Sequence, residues 1–367
     1  MKNLATLGNE LYSGTTSIPF IAKRRIWYTI AAIIVISSAA LLGTVGLNPG
    51  IDFKGGSEVT ITGLASPSES PANTVLSDEG RAAGSSVTKL GSSSVRVQTT
   101  ALDKADLDTL SSDLASAYGV DASSVSSTTI GPTWSSDVTN KAIRGLLLFF
   151  LLVGGLIWIY FRTWKMAAAA LLALAHDIII TVGIYALTGF EVTPATIIGV
   201  LTILGYSLYD TVVVFDKIRE NTASFTAQTR STYAELANLA VNQTFIRSVN
   251  TSIVGVLPVA SLLFVGAFIL GAGTLRDIAL TLFIGMIAGT LSSIFLATPL
   301  LVDLRSREKS VREQAGRVEK ARRARIDAAG DDEDAIEAIL AAPKASPLTP
   351  GHHLGHAAQP KRRKKRS

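Results

Sequence analysis

Two ionisable side chains stand within long apolar runs of this 367-residue chain. Asp210 lies in the stretch 194–215, PATIIGVLTILGYSLYDTVVVF, and Arg247 lies near the start of the next, NQTFIRSVNTSIVGVLPVA. A charged side chain at bilayer depth costs about 2.5–3.5 kcal/mol on insertion scales, so its presence points to an ion pathway or a paired switch. A further polar element, His176-Asp177, interrupts AAAALLALAHDIIITVGIYAL. Imidazole titrates near neutrality and can relay protons. Adjacent residues do not share a helical face, so His176 and Asp177 are expected to meet different neighbours.

These side chains need membrane helices to position them, and the composition supplies such helices. The chain is 48% hydrophobic and only 17% charged. A hydrocarbon core about 30 Å thick needs about 20 apolar helical residues. Six segments meet that length: 26–47, 143–161, 166–187, 194–215, 246–270 and 278–301. The flanking bases Lys23, Arg24, Arg25, Arg162, Lys165, Lys217, Arg219 and Arg230 all fall on one side of six crossings. The positive-inside rule then puts residues 1–25, the loop 216–245 and the segment 303–367 in the cytoplasm, with both termini there. The first apolar run is too long for a signal peptide, and VGLNPG after it has no small-x-small cleavage site, so it reads as an uncleaved anchor.

Depth then relates the ionisable groups to one another. Asp210 sits about five residues, or roughly 8 Å, from the cytoplasmic end of span four. Arg247 sits in the first turns of span five, at a similar depth, so the two are expected to pair. Ser207, three residues before Asp210, and Asn250, three after Arg247, would extend this into a polar seam. A helix movement that changed the Asp210–Arg247 separation would load or release a proton. One charge crossing the field is worth roughly 2.3 kcal/mol per 100 mV. The alternative is a static salt bridge between two helices, with His176 and Asp177 as interhelical hydrogen-bonding glue.

Residues 48–141 carry eleven acids and six bases and lie outside by the same count of crossings. SEVTITG (57–63) and SSVRVQT (93–99) alternate as strands do, whereas Leu102, Leu107, Leu110, Leu114 and Ala117 recur at helical spacing up to Gly119. Residues 66–92 are rich in Ser, Pro and Gly and read as loop with at most a short helix. The fold class expected is thus a polytopic α-helical membrane protein with one small α+β extracytoplasmic domain between spans one and two. In GIDFKGG, residues 50–56, Gly50, Gly55 and Gly56 allow tight turns, Asp52 can cap or pair locally, and Phe53 lies between them. A strand rather than a helix N-terminus is expected to follow, so the motif reads as a hinge into the domain rather than a phosphate loop. GMIAG (285–289) is a small-xxx-small motif for close helix packing.

Between spans four and five, YAELANLAVNQTF reads as an amphipathic helix running into span five. Segment 303–367, with sixteen bases and ten acids, reads as disordered apart from a helix over 302–325. Its terminal KRRKKRS would attract anionic lipid or RNA. With no cysteine, the chain has no disulfide and no Cys-based metal or redox site. The spans contain a single His and no HExxH, which argues against an intramembrane hydrolase. No catalytic, metal-binding or cofactor-binding residue is expected, the proton being the coupling ion of a chain that is not an enzyme.

GYSLYDTVVVFDKIREN (205–221) resembles the fourth-span signature of the SecF branch of the SecD/SecF family, membrane subunits of bacterial protein export. NQTFIRSVNTS (242–252) resembles the fifth-span motif, and AHD (175–177) and GIDFKGG (50–56) fit the same pattern, so the resemblance covers about residues 20–305. Tyr209 stands where the family has Asn, and Ile246 where a small polar residue is usual. The resemblance implies pairing with SecD into a twelve-span assembly similar to the resistance-nodulation-division transporters. It also implies work beside the SecYEG channel in the bacterial inner membrane, on preproteins that the motor ATPase SecA has advanced. The proton-motive force would drive that late step, with Asp210 and Arg247 as one side of the proton pathway. Two other readings of the residues stay open. One is a passive scaffold for the channel. The other is half of a small-molecule exporter, which would need an aromatic-lined vestibule where 48–141 offers only Phe53, Tyr118 and Trp134.

Overall fold

The computed structural model describes residues 4–269, 273–341 and 343. Helix α1 (Leu4–Ser13) leads into α2 (Arg24–Thr44), the first of six helices among the described residues that are long and apolar enough to cross a membrane. Most of α2 faces outward, with Ile36 67% exposed, as lipid contact requires. It is held where Ser38 meets Gly183: a Cβ at Gly183 would lie 2.1 Å from the Ser38 Oγ. Small residues at such a crossing let two backbones approach where lipid supplies no hydrophobic drive for association.

Past α2 the chain forms β1 (Asn48–Pro49), the single turn α3 (Ile51–Lys54), β2 (Gly56–Ile61), α4 (Ser70–Asp78), β3 (Ser86–Leu90), β4 (Ser94–Thr99), α5 (Lys104–Tyr118) and β5 (Val125–Ile130). The antiparallel sheet has the order β3-β4-β2-β5, and its inward residues Val59, Ile61, Val95 and Val97 pack on Leu76, Leu107, Leu110 and Leu114. Asp103 caps α5 through the Asp106 amide, and Gly119 ends it in the left-handed region at φ 64°. Ala117, expected inside, is exposed, and Ala115 is buried in its place. Two elements differ from expectation. Residues 66–92 hold, besides the short helix α4, an edge strand, β3, and β5 forms from the polar run VSSTTI. β5 gives no alternating signal, since its four middle residues, 126–129, are all polar and exposed.

The remaining spans are α6 (Pro132–Phe161), α7 (Trp164–Thr188), then after β6 (Glu191–Val192) α8 (Pro194–Asn221), α9 (Tyr233–Ser261) and α10 (Gly273–Ser292). Helix α6 begins at Pro132 rather than 143, because a proline in the first turn starts the helix within the polar stretch that leaves the domain. Helix α9 continues the amphipathic stretch and span five without a break, and Thr232 and Glu235 form its capping box. Two π-helical segments follow, Leu262–Ile269 after α9 and Ser293–Ala297 after α10, the latter leading into α11 (Thr298–Ser306).

On the face opposite the domain, Asn242 Oδ1 accepts from the Ile18 amide at 2.8 Å, and Arg24 pairs with Asp303 at 2.9 Å. The segment after 302 is more ordered than its composition suggests. Helix α12 (Lys309–Ala329) buries Val311, Gln314 and Val318, and Gln314 Nε2 donates to the Ser231 carbonyl at 2.9 Å. A short α13 (Glu333–Leu340) follows. Three buried positions on α12 suffice to dock it on the loop before α9, a signal too sparse to stand out among sixteen bases. KRRKKRS lies outside the described residues.

Candidate functional site

Spans four and six meet along a ladder of small residues. A Cβ on Gly199 would lie 2.8 Å from the Thr281 Cβ, one on Gly285 would lie 1.9 Å from the Ile203 Cδ1, and one on Gly289 would lie 2.7 Å from the Ser207 Cβ. The next rung is polar: Ser293, at the start of the π segment, donates to Asp210 Oδ2 at 2.5 Å. From span five, Ser248 donates to Asp210 Oδ1 at 2.6 Å. Asp210 is 5% exposed, so its carboxylate is enclosed among three helices with one hydroxyl on each oxygen.

Asp210 does not pair with Arg247. Arg247 is exposed, and its guanidinium donates to the Tyr209 hydroxyl at 3.3 Å. The expected pairing fails on direction around the helix. Adjacent helical residues diverge by about 100°, so the buried Ser248 takes the place facing Asp210 and Arg247 turns outward. Asn250 is likewise exposed. The seam around Asp210 is built instead from hydroxyls: Ser252 lies 2.6 Å from Thr290, and Tyr206 reaches Ser252 at 3.5 Å.

Ser207 also serves a different partner from the one expected. It donates to Asp177 Oδ2 at 2.6 Å, and Asp177 is 1% exposed. His176 Nδ1 lies 3.5 Å from Asp177 Oδ1, so the neighbours touch each other as well as facing apart. His176 Nε2 is buried without a partner on the wall of an apolar cleft of about 430 Å³, with Trp27, Ile34, Phe283 and Leu291. Two buried carboxylates, Asp177 and Asp210, are thus joined through one turn of span four, from Ser207 to Asp210.

Hydrogen-bond partners are in reach for an acid and for its conjugate base alike. The Ser293 hydroxyl has one proton and two acceptors in reach, Asp210 Oδ2 and the Thr290 carbonyl at 2.9 Å. When Asp210 is ionised, Ser293 donates to it. When Asp210 is protonated, its own O–H can donate to Ser293, which turns to Thr290. Either form therefore leaves no buried hydroxyl or carboxyl oxygen at this junction orphaned. No group of His, Asp or Glu suited to hold a metal occurs among the described residues. Ser248 and Ser293 were not singled out from sequence. Ser293 was accessible there, since it continues the four-residue spacing of Thr281, Gly285 and Gly289.

The glycine motif at 50–56 sits where span one enters the domain. The Gly50 amide donates to the Val192 carbonyl at 2.9 Å, and β1 pairs in parallel with β6, the short connection between spans three and four. Gly55 and Gly56 adopt φ of 77° and 142°, and a Cβ at Gly56 would lie 2.6 Å from the Thr99 carbonyl oxygen. Phe53 closes the one-turn helix through its amide to the Gly50 carbonyl. Burial holds the Asp52 carboxyl above its ordinary value, with Glu58 and Glu191 adding to the shift and Arg96 opposing it. A carboxyl whose folded value is raised contributes stability that is complete below the unfolded value and lost as pH rises through the folded one. Asp52→Asn is therefore expected to raise the melting temperature of the full chain at neutral pH and to flatten its pH dependence. Coincident melting curves for the two proteins would contradict this.

Comparison with known proteins places these features. Residues 110–307 match the family described as "Protein export membrane protein SecD/SecF, C-terminal", and residues 40–62 match the "SecD/SecF GG Motif". The chain is 47% identical over 331 residues to the protein translocase subunit SecF of Streptomyces coelicolor, covering 90% of this chain and 88% of that protein. It is 42% identical over 338 residues to the SecF of Mycobacterium tuberculosis H37Rv, covering 88% and 75%. The crystal structure of SecDF, a translocon-associated membrane protein from Thermus thermophilus, superposes with a TM-score of 0.71 at 31% identity. That match covers 80% of this chain and 39% of the longer one.

Proposed function

Because the chain belongs to the SecD/SecF family of protein-export membrane proteins, we propose that it couples proton binding at Asp210 to a late step of polypeptide export. The observation that carries this reading is the hydroxyl clasp on Asp210, a buried carboxylate with one serine hydroxyl on each oxygen. Asp177, Ser207 and His176 extend the pathway toward the span-one side of the bundle, and protons are the coupling ion, with no covalent chemistry.

The second half of the pathway comes from a SecD-type partner, as the 39% coverage of the SecDF chain supports. Arg247, Asn250 and Tyr209 form an outward face at the level of Asp210, and Tyr209 is 52% exposed. A guanidinium facing lipid at that depth would be expensive, so this face is where the partner docks and supplies an acidic or polar counterpart. The assembly lies in the bacterial plasma membrane, with the α+β domain outside and both termini in the cytoplasm. It acts beside the SecYEG channel after SecA, on preproteins. The basic face formed by Arg25, Arg162 and Arg219 supports that orientation.

The test is completion of preprotein export in vesicles that carry this chain and its SecD-type partner. Imposing a proton gradient is expected to accelerate completion, and collapsing it to remove the acceleration. Arg247→Met is expected to lose that component while co-purification with the partner persists. Because the chain has no native cysteine, Asn250→Cys offers a single site for crosslinking, and it is expected to capture the partner. Gradient-independent export with the native chain would overturn the proposal, and capture of lipid alone by Asn250→Cys would overturn the docking face.

A further inference from the structure

The α+β domain is tied to span four at one side chain. Glu191 lies in β6, whose two residues pair with two residues of β1. Backbone pairing that short is weak on its own. Its carboxylate reaches the sheet instead: Oε2 pairs with Arg96 Nη1 at 2.8 Å, and Oε1 accepts from Gln98 Nε2 at 2.7 Å. Arg96 and Gln98 are two apart on β4 and so share a face. Glu58, opposite Gln98 on β2, accepts from the same amide at 3.0 Å and lies 3.4 Å from Arg96. The side chains of Glu191 and Arg96 are each only 14% exposed. Removing one partner would leave the other charge largely buried without its counterion.

Gly50 completes the grip. Its φ of −67° is ordinary, so glycine is not needed there for backbone conformation. What requires it is proximity: a Cβ at Gly50 would lie 2.5 Å from Glu191 Oε1 and 3.3 Å from the Val192 carbonyl oxygen. The first glycine of GIDFKGG therefore makes room for this carboxylate.

Two residues beyond Glu191, Thr193 caps span four in a reciprocal box with Thr196. Thr193 also donates to Asp277 Oδ2 of span six at 3.1 Å. From Thr193 to Asp210 the chain is a single helix, about 25 Å long at 1.5 Å per residue. Axial displacement at Glu191 reaches Ser207 and Asp210 with little loss. We propose that Glu191 is the positioning residue that couples movement of the α+β domain to the span-four helix and so to its carboxylate. The functional half of this proposal rests on the proton-coupled reading of Asp210; the mechanical half does not.

The experiment uses the full chain with its SecD-type partner in vesicles and compares Glu191→Ala, Gly50→Ala and the double variant with native and Asp210→Asn. Two quantities are read at equal assembled levels: the gradient-dependent component of export, and hydrogen exchange at the Thr196 and Ile197 amides in the first turn of span four. Glu191→Ala and Gly50→Ala are each expected to lower the export component about tenfold, a coupling of ordinary allosteric size, and to speed exchange at both amides. The double variant is expected to be no worse than Glu191→Ala, because the carboxylate oxygen that the added methyl would strike is gone. Gly50→Ala leaves Arg96, Gln98 and Glu58 in place and serves where Glu191→Ala fails to assemble. Full gradient-dependent export in Glu191→Ala, alongside its loss in Asp210→Asn, would overturn the coupling role. If Asp210→Asn itself keeps that component, the proton reading fails, and exchange alone decides the mechanical half: unchanged protection at Thr196 and Ile197 overturns it.

Discussion

Asp210→Asn is expected to abolish the gradient-dependent component of export while leaving the complex assembled. Asparagine has nearly the shape of the protonated acid. Its carbonyl oxygen can accept from Ser248, and its amide can donate to Ser293, which then turns to the Thr290 carbonyl. Every hydrogen bond at the three-helix junction therefore survives, and with it the packing of spans four, five and six. What disappears is the change of charge. One charge moving through the full field biases a conformational equilibrium by roughly 2.3 kcal/mol per 100 mV, about fiftyfold in population. Vesicle export measured with and without a gradient reads that loss directly. A passive scaffold predicts the opposite result, because an isosteric lock would serve the channel as well as the native residue does.

The largest effect on stability is expected from Gly285→Ala. The added methyl would lie 1.9 Å from the Ile203 Cδ1, 2.9 Å from its Cγ1 and 3.0 Å from its Cβ. Overpacking a tight contact typically costs about 1–3 kcal/mol, and relief here requires span six to back away from span four. That movement would also draw Ser293 from Asp210, so function should fall together with melting temperature. Ile203→Ala provides the control. Alone it removes buried methyl groups, a change that costs about 2–5 kcal/mol in a typical core. Combined with Gly285→Ala it frees the space the new methyl needs, so the double variant should melt above the sum of the two losses. Strict additivity in thermal melts of the detergent-solubilised protein would contradict this packing of spans four and six.

Six spans around one small α+β domain could be read from the sequence because apolar length and strand alternation are local properties. The two buried carboxylates were also legible, since an acid in a membrane-length apolar run stands out by type alone. Their partners were not. Arg247 was the conspicuous candidate for Asp210, yet which of two adjacent residues faces a neighbouring helix depends on how that helix is rotated. Ser248, unremarkable in composition, holds the facing position. Ser207 lies one turn before Asp210 and groups with it on that ground, but the approach of span three gives its hydroxyl to Asp177. Glu191 was invisible for a further reason: its partners Arg96 and Gln98 lie about 95 residues away in the chain, across the whole of two spans. The helix of α12 was legible, but its docking was concealed by charge, since three buried positions on a basic helix give little periodic signal.

Proton binding at Asp210 is tested most directly by infrared difference spectroscopy of the assembled complex between low and high pH. The native protein is expected to show a carboxylic-acid carbonyl band that Asp210→Asn removes and Ser293→Ala shifts, because Ser293 lies against the protonating oxygen. A difference spectrum in which Asp210→Asn and native protein are identical would show that Asp210 holds helices together and carries no proton.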